Sequence, residues 1–241
     1  MLKNHKRTEE EKAQYLAELR AWIESQRDVP AEEMASFFAA RLDTYEDVHL
    51  GNWGDVYEAI ADYFDEGLTS LLDIGCGTGL ELRAMFRRFP NLHVTGVDLS
   101  PDMLGKLQEA YQGRGIELIQ GDYFQLPLGE ARFDAVLSFE TLHHFKYEKK
   151  LGLYQKLYKA LRPGGYYVEC DYMACCPEEE AMCRAHLEEK RKKSGLPESQ
   201  FIHIDTPLTL ARQIELLEKA GFAQVRALYE NGGTVILRGE R

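Results

Sequence analysis

The clearest chemistry in this sequence sits at the ends of three apolar runs. In Leu71-Leu72-Asp73-Ile74-Gly75-Cys76-Gly77-Thr78-Gly79 the first run meets alternating glycines, and a helical pattern follows. Glycine lets the chain turn sharply and leaves no Cβ in the way of a ligand that approaches the backbone. A helix start behind such a turn directs N–H groups at that ligand. A dinucleotide loop reads G-x-G-x-x-G and a P-loop ends in G-K-[ST], and neither spacing occurs here. Asp98 closes the second run, 19 residues beyond Gly79, where a carboxylate can accept from both hydroxyls of a ribose. Gly121-Asp122-Tyr123 closes the third, and an acid beside an aromatic ring suits the amino group and face of adenine. Acids at three consecutive strand ends favour a ligand with a ribose, an adenine and a positive charge, and disfavour a pyrophosphate.

A second group of reactive side chains follows the fourth and fifth apolar runs. Glu140, Thr141, His143 and His144 come after Phe133–Phe139, and Asp171 and Tyr172 after Tyr166–Cys170. Ligands of open α/β sheets bind beyond these carboxyl ends. Imidazole titrates near neutrality, so His143, His144 and His203 are candidates for moving a proton. His203 and Asp205 have the spacing of a base and its orienter, although the alternation in FIHID equally fits a strand-like cap segment. Cys175-Cys176 has no spaced His/Cys set beside it, so no metal site is expected. Tyr45, His49, Trp53 and Tyr57 form an aromatic stretch ahead of the first strand, suited either to covering a ligand or to packing helices.

These residues need elements to position them. Residues 8 to about 66 read as helices. Tyr15, Leu16, Leu19, Trp22 and Ile23 share one face, a second helix runs from about Ala31 to Leu42 and a third from Asp55 to Phe64, with Gly51, Asn52 and Gly54 breaking the chain between them. From residue 70 strands and helices alternate, which implies right-handed crossovers and a parallel sheet. Ser100-Pro101-Asp102 starts one helix with an N-cap hydroxyl, a Pro at the first position and a carboxylate at the positive end. Another, carrying Leu153, Leu157 and Leu161, ends at Arg162-Pro163-Gly164-Gly165. Thr206-Pro207 opens the last helix. Phe222–Tyr229 and Thr234–Arg238 then flank Glu230-Asn231-Gly232-Gly233, a hairpin signal that closes the sheet with an antiparallel strand. The stretch 172–206 is too long for a plain connection and reads as a cap over the site. The expected division is a helical cover over 1–68 and a ligand-binding domain over 69–241.

Composition narrows the function further. The 241 residues carry 29 Lys+Arg and 40 Asp+Glu, a formal charge of −11, which repels nucleic-acid phosphates. The basic run Arg191-Lys192-Lys193 lies close to Glu178–Glu180, Glu188 and Glu189 and reads as a self-paired solvated face. No apolar run approaches a membrane span, and the amino terminus lacks an apolar signal region, so a cytoplasmic protein with reduced thiols is expected. A homodimer would form through the amino-terminal helices or the cap.

Over about residues 70–240 the sequence resembles the class I S-adenosylmethionine-dependent methyltransferases. LLDIGCGTG is similar to their first motif, VTGVDLSPDML to the second, IELIQGDYFQLPL to the third and FDAVLSFETLHHF to the fourth, and LRPGGYYVECDY to their fifth-strand region. LHHF, DYM and HIDTPLT look like a bacterial branch acting on small molecules. The resemblance implies a Rossmann-like, doubly wound seven-stranded sheet of order 3-2-1-4-5-7-6 with the last strand antiparallel. It implies S-adenosyl-L-methionine as cofactor and a small-molecule methyl acceptor. Asp73, Gly75, Cys76 and Gly77 would hold the methionyl end, with Gly79 shaping the turn. Asp98 would take the ribose, Leu99, Met103, Gly121, Asp122 and Tyr123 the adenine, and Phe139 and Glu140 the reacting end. Tyr45 and Trp53 would cover the cofactor, and His143, His203 and Glu140 are the candidate catalytic groups. The alternatives are a binding module of the same fold, or an enzyme that moves a different group from the same cofactor.

Overall fold

A computed structural model describes residues 2–197 and 199–241; Met1 and Glu198 lie outside the described residues. Seven strands build one sheet: β1 (Ser70–Ile74), β2 (His93–Asp98), β3 (Ile116–Gln120), β4 (Phe133–Phe139), β5 (Leu161–Tyr172), β6 (Ala223–Asn231) and β7 (Thr234–Glu240). Their order is β3-β2-β1-β4-β5-β7-β6, with β7 antiparallel to both β5 and β6. The order and the reversed last strand agree with the sequence expectation. Around the sheet lie α1 (Glu9–Ser25), α2 (Met34–Ala40), α3 (Leu42–Ala59), α4 (Leu82–Arg88), α5 (Pro101–Ala110), α6 (Tyr147–Ala160), α7 (Pro177–Ser194) and α8 (Leu210–Ala220).

The central strands are apolar on both faces because helices cover both. Leu71, Ala135, Leu137 and Val168 fill one core with residues of α3 and α4, including Val56, Tyr57 and Met85. Leu72, Ile74, Val136 and Tyr167 fill the other with Leu153, Leu157, Leu216 and Leu217 from α6 and α8. The period-2 alternation of a strand assigns neighbouring residues to opposite cores. Helix ends follow their local signals. Thr8 and Glu11 close a capping box on α1, Ser100 accepts from the Met103 N–H at the start of α5, and Gly195 and Gly221 end α7 and α8 with φ of +62° and +113°.

Four local expectations are corrected. The third helix starts earlier than expected: α3 runs from Leu42, and the expected break within Gly51–Gly54 falls at Trp53 (φ −127°, ψ 15°), where the two halves of α3 meet at a kink. The last helix starts at Leu210, because the Thr206 N–H and hydroxyl both donate to the His143 carbonyl and hold that segment out of the helix. The fifth strand begins at Leu161, with a register shift opposite Phe133/Ala135 that absorbs Arg162-Pro163-Gly164-Gly165. The second helix is shorter than expected, Met34–Ala40.

The amino-terminal helices lie against the 172–206 stretch. The Tyr15 and Tyr172 hydroxyls are 2.6 Å apart and both donate to Glu179, while the Lys190 ammonium donates to the Gln26 and Val29 carbonyls. Ile202 bridges to Glu33. Among the described residues no helix is long and apolar enough to cross a membrane.

Candidate functional site

The glycine loop is shaped by its hydrogen bonds and its neighbours. The Gly75 and Cys76 N–H groups donate to the Val97 carbonyl at 2.7 and 3.3 Å, which ties the loop to the end of β2. Asp98 completes the tie: one carboxylate oxygen accepts from Gly77 N–H at 3.0 Å and the other from Ser100 N–H at 2.8 Å. Gly75 and Gly77 have φ of +68° and +49°. An added Cβ on Gly75 would lie 2.2 Å from Thr141 Oγ1, and one on Gly77 3.3 Å from the Tyr45 hydroxyl. Gly75 has no room for a Cβ unless Thr141 moves, and at Gly77 a Cβ would be tight against Tyr45.

A cleft of about 670 Å³, counted with its open mouth, lies beyond these strand ends. Tyr45, Gly75, Gly77, Asp98, Leu99 and Met103 line it, together with Gly121, Asp122, Tyr123, Phe139 and Glu140. Eleven of the residues singled out in the sequence therefore share one wall. Sequence reading missed the opposite side, where α2 contributes Met34, Ala35 and Phe38, and Phe145 and Phe201 close the edge. Met34 and Phe38 stand one helical turn apart, which was a signal for a buried face, but nothing in the sequence said which surface that face meets.

Six expected site residues are absent from the cleft wall. Asp73 is buried beneath the loop with neither carboxylate oxygen hydrogen-bonded as an acceptor. Burial and the neighbouring Glu81 carboxylate push it well above the usual carboxylate range, and burial lifts Glu81 to about 7. Two buried carboxyls so placed do not both carry a charge near neutrality. Cys76 fills space against Gly96, where an added Cβ would meet its sulfur at 2.9 Å, and burial pushes its thiol far up, away from nucleophilic character. Gly79 packs against Leu107 of α5 and Tyr111 just past its end. Trp53 turns from the cleft, and its indole N–H donates to Thr234 Oγ1 at 3.0 Å. His143 and His203 lie behind the wall, in a cluster of their own.

In that cluster His143 Nδ1 is 2.5 Å from an Asp171 oxygen, and Asp171 also accepts from the Leu142 and Tyr172 N–H groups at 2.9 Å. Glu140 lies 3.7 Å from the same ring nitrogen. Burial opposes charge on His143, but Asp171, Asp205 and Glu140 outweigh it and raise the imidazole to about 9. Burial and Asp171 lift Glu140 to about 8. Its Oε1 is buried without a partner and its φ is +47°, a strained backbone for a non-glycine residue. His203 stacks flat on Phe37, centroids 3.5 Å apart, and burial holds it down to about 3.

Residues 71–165 match the family described as "Methyltransferase domain". The fatty-acid O-methyltransferase of Mycolicibacterium smegmatis is 27% identical over 176 residues, 73% of this chain and 56% of that protein. The malonyl-[acyl-carrier protein] O-methyltransferase of Priestia megaterium is 28% identical over 63% of this chain and 54% of its own length. This chain thus spans about half the length of these curated relatives. In fold it is similar to the S-adenosylmethionine-dependent methyltransferase SibL in its apo form, with a TM-score of 0.65, 24% identity, and coverage of 95% of this chain and 69% of the other. These matches support a class I S-adenosylmethionine-dependent methyltransferase family for this chain. The cleft fits that family's cofactor on its own chemistry. It brings together loop backbone that no Cβ screens, acids at two strand ends, an apolar and aromatic wall, and a buried carboxyl with no partner, as a cationic nucleoside requires.

Proposed function

We propose that this protein transfers a methyl group from S-adenosylmethionine to a small-molecule acceptor by in-line displacement. Bound S-adenosylmethionine supplies a methyl group already activated by its sulfonium charge. The observation that carries the reading is Glu140, a buried carboxyl with a partnerless oxygen on the wall of a cleft otherwise built for a nucleoside. Asp98 would take the ribose hydroxyls on the lone pairs its loop bonds leave free, and Asp122 the adenine amino group. Leu99, Met103 and Tyr123 would hold the ring, and Gly75 and Gly77 the methionyl end.

Alignment and exclusion of water do most of the work in such a displacement, and well-oriented intramolecular reactions gain up to about 7–11 kcal/mol in this way. Met34 and Phe38, beside Phe145 and Phe201, would supply the dry edge, which supports a covering role for the 1–68 segment. Where the acceptor arrives protonated, Glu140 Oε1 is the group placed to take the proton, a contribution of about 10²–10⁴-fold. His143, 3.7 Å from Glu140, positions it, and His203 has a packing role in this reading.

The charge of −11 argues against nucleic acid as acceptor, and five free cysteines support a cytoplasmic setting. Trp22, Val48 and Leu50 are exposed by 53%, 54% and 42% on α1 and α3 and support a homodimer through the cover, which light scattering would test. Calorimetry with S-adenosylhomocysteine tests the cofactor reading, and the absence of binding would overturn it. The mass gained by an acceptor then separates methyl transfer from transfer of a larger group.

A further inference from the structure

Behind the cleft wall, three side chains from two distant segments converge. His143 and His144 stand in the turn after β4, and Asp205 follows 61 residues beyond His144, in the segment before α8. The Thr206 N–H and hydroxyl donate to the His143 carbonyl at 2.6 and 3.2 Å and stitch that segment to the turn. Asp205 Oδ1 then lies 3.0 Å from His144 Nδ1 and 3.5 Å from His143 Nε2. All three donor atoms fall within 4.8 Å of one another.

We infer that His143 Nε2, His144 Nδ1 and Asp205 form a three-ligand site for a divalent transition metal of the zinc, cobalt or iron class. Several independent observations carry this. The donor spacing is that of a coordination shell: bonds of about 2.0–2.1 Å in a tetrahedron place neighbouring donors roughly 3.3 Å apart. The two distances to Asp205, 3.0 and 3.5 Å, bracket that value. His144 Nδ1 is buried with no aligned hydrogen-bond partner, although a carboxylate oxygen is only 3.0 Å away. A neutral ring meets that carboxylate as its Nδ1–H tautomer, and a metal ion would take the place of that proton. His143 is also held as metal-binding histidines are held, its other ring nitrogen bonded to a carboxylate. That carboxylate, Asp171, is fixed in turn by two backbone N–H groups.

Two nitrogens and one carboxylate suit zinc or iron(II) rather than magnesium or calcium, which prefer oxygen shells. A second grouping, Glu140, His143 and Asp171, would compete for His143 Nδ1, which Asp171 already occupies. The site therefore opens on the Asp205 side, where that carboxylate is 46% exposed and an ion has a path in. Coordination by three protein atoms leaves a further position for an oxygen ligand.

The test uses the full chain, freed of metal with a chelator and titrated with Co²⁺ and with Zn²⁺ alone. One equivalent should bind with Kd on the order of micromolar or tighter, and Co²⁺ should develop visible ligand-field bands. Asp205→Ala, at a half-exposed position, should weaken binding by at least about 100-fold, and Asp171→Asn by roughly 10–100-fold without changing the stoichiometry. Circular dichroism and retained S-adenosylhomocysteine binding check that each variant is folded. Absence of binding at about 100 μM metal would overturn the site. So would binding that folded Asp205→Ala and His144→Gln leave unchanged, or Mg²⁺ binding as tight as Zn²⁺.

Discussion

Asp98 Oδ2 accepts the Gly77 N–H at 3.0 Å, so the acid that ends β2 also holds the glycine loop that follows β1. One side chain thereby shapes the loop and faces the cleft. Burial pulls Asp98 up from the ordinary carboxylate value, and the N–H groups of Ser100 and Gly77 act against that rise. Asp98→Ala should weaken S-adenosylhomocysteine by about 10–100-fold, since a hydrogen bond to a charged group contributes roughly 1.5–3 kcal/mol. Calorimetry reads this directly. Affinity within twofold of the parent would remove Asp98 from the ribose site.

Two glycines should respond in opposite directions to the same substitution. Gly75→Ala forces a Cβ to 2.2 Å from Thr141 Oγ1 at φ +68° and should destabilise the fold by about 1–3 kcal/mol. Thr141→Gly in the same chain should recover part of the loss. Gly51→Ala, inside α3 with nothing within 4 Å of the new methyl, should stabilise by about 0.5–1 kcal/mol. Chemical denaturation of the four chains checks both signs.

The aromatic residues of α3 should separate by function. Tyr45→Ala removes a cleft wall that faces Gly77 and should weaken S-adenosylhomocysteine about tenfold, near 1.4 kcal/mol. Trp53→Phe removes only the bond to Thr234, so it should cost about 0.5–1.5 kcal/mol of stability and leave cofactor affinity in place. Equal effects on binding would contradict this division.

Glu169 should give the fold a pH dependence. Its carboxyl is buried among the Tyr154 and Tyr167 hydroxyls at 3.0 and 3.1 Å and the Gln213 amide, and burial with Asp171 nearby lifts it to about 7 from an ordinary 4.5. The folded state therefore holds an extra proton between those values. Its contribution to stability is complete below about 4.5 and is lost as the pH rises through about 7. Glu169→Gln should flatten this part of the profile. A profile in the variant as steep as in the parent would assign the slope to another group.

Much of this protein was legible from its residues in order. The strands, the sheet order and the alternating-glycine loop rest on signals within a few residues of one another: period-2 apolar runs, helix caps, a hairpin tetrapeptide. That local information also carried Asp98 and Asp122 to the same cleft, because strand ends in a parallel sheet share an edge. The break in α3 was legible, since Trp53 lies between Gly51 and Gly54, but the helical turns from Leu42 to Asn52 escaped notice because none of their residues is buried and no apolar stripe marks them. The far wall of the cleft, from Met34 to Phe201, and the meeting of His143, His144 and Asp205 escaped for a different reason. Met34 and Phe38 lie scores of residues from Phe145 and Phe201, as the adjacent His143 and His144 do from Asp205, and no spacing pattern links the distant members. Only folding of the amino-terminal helices and the 172–206 stretch over the sheet brings them within bonding distance, and that is decided by tertiary packing.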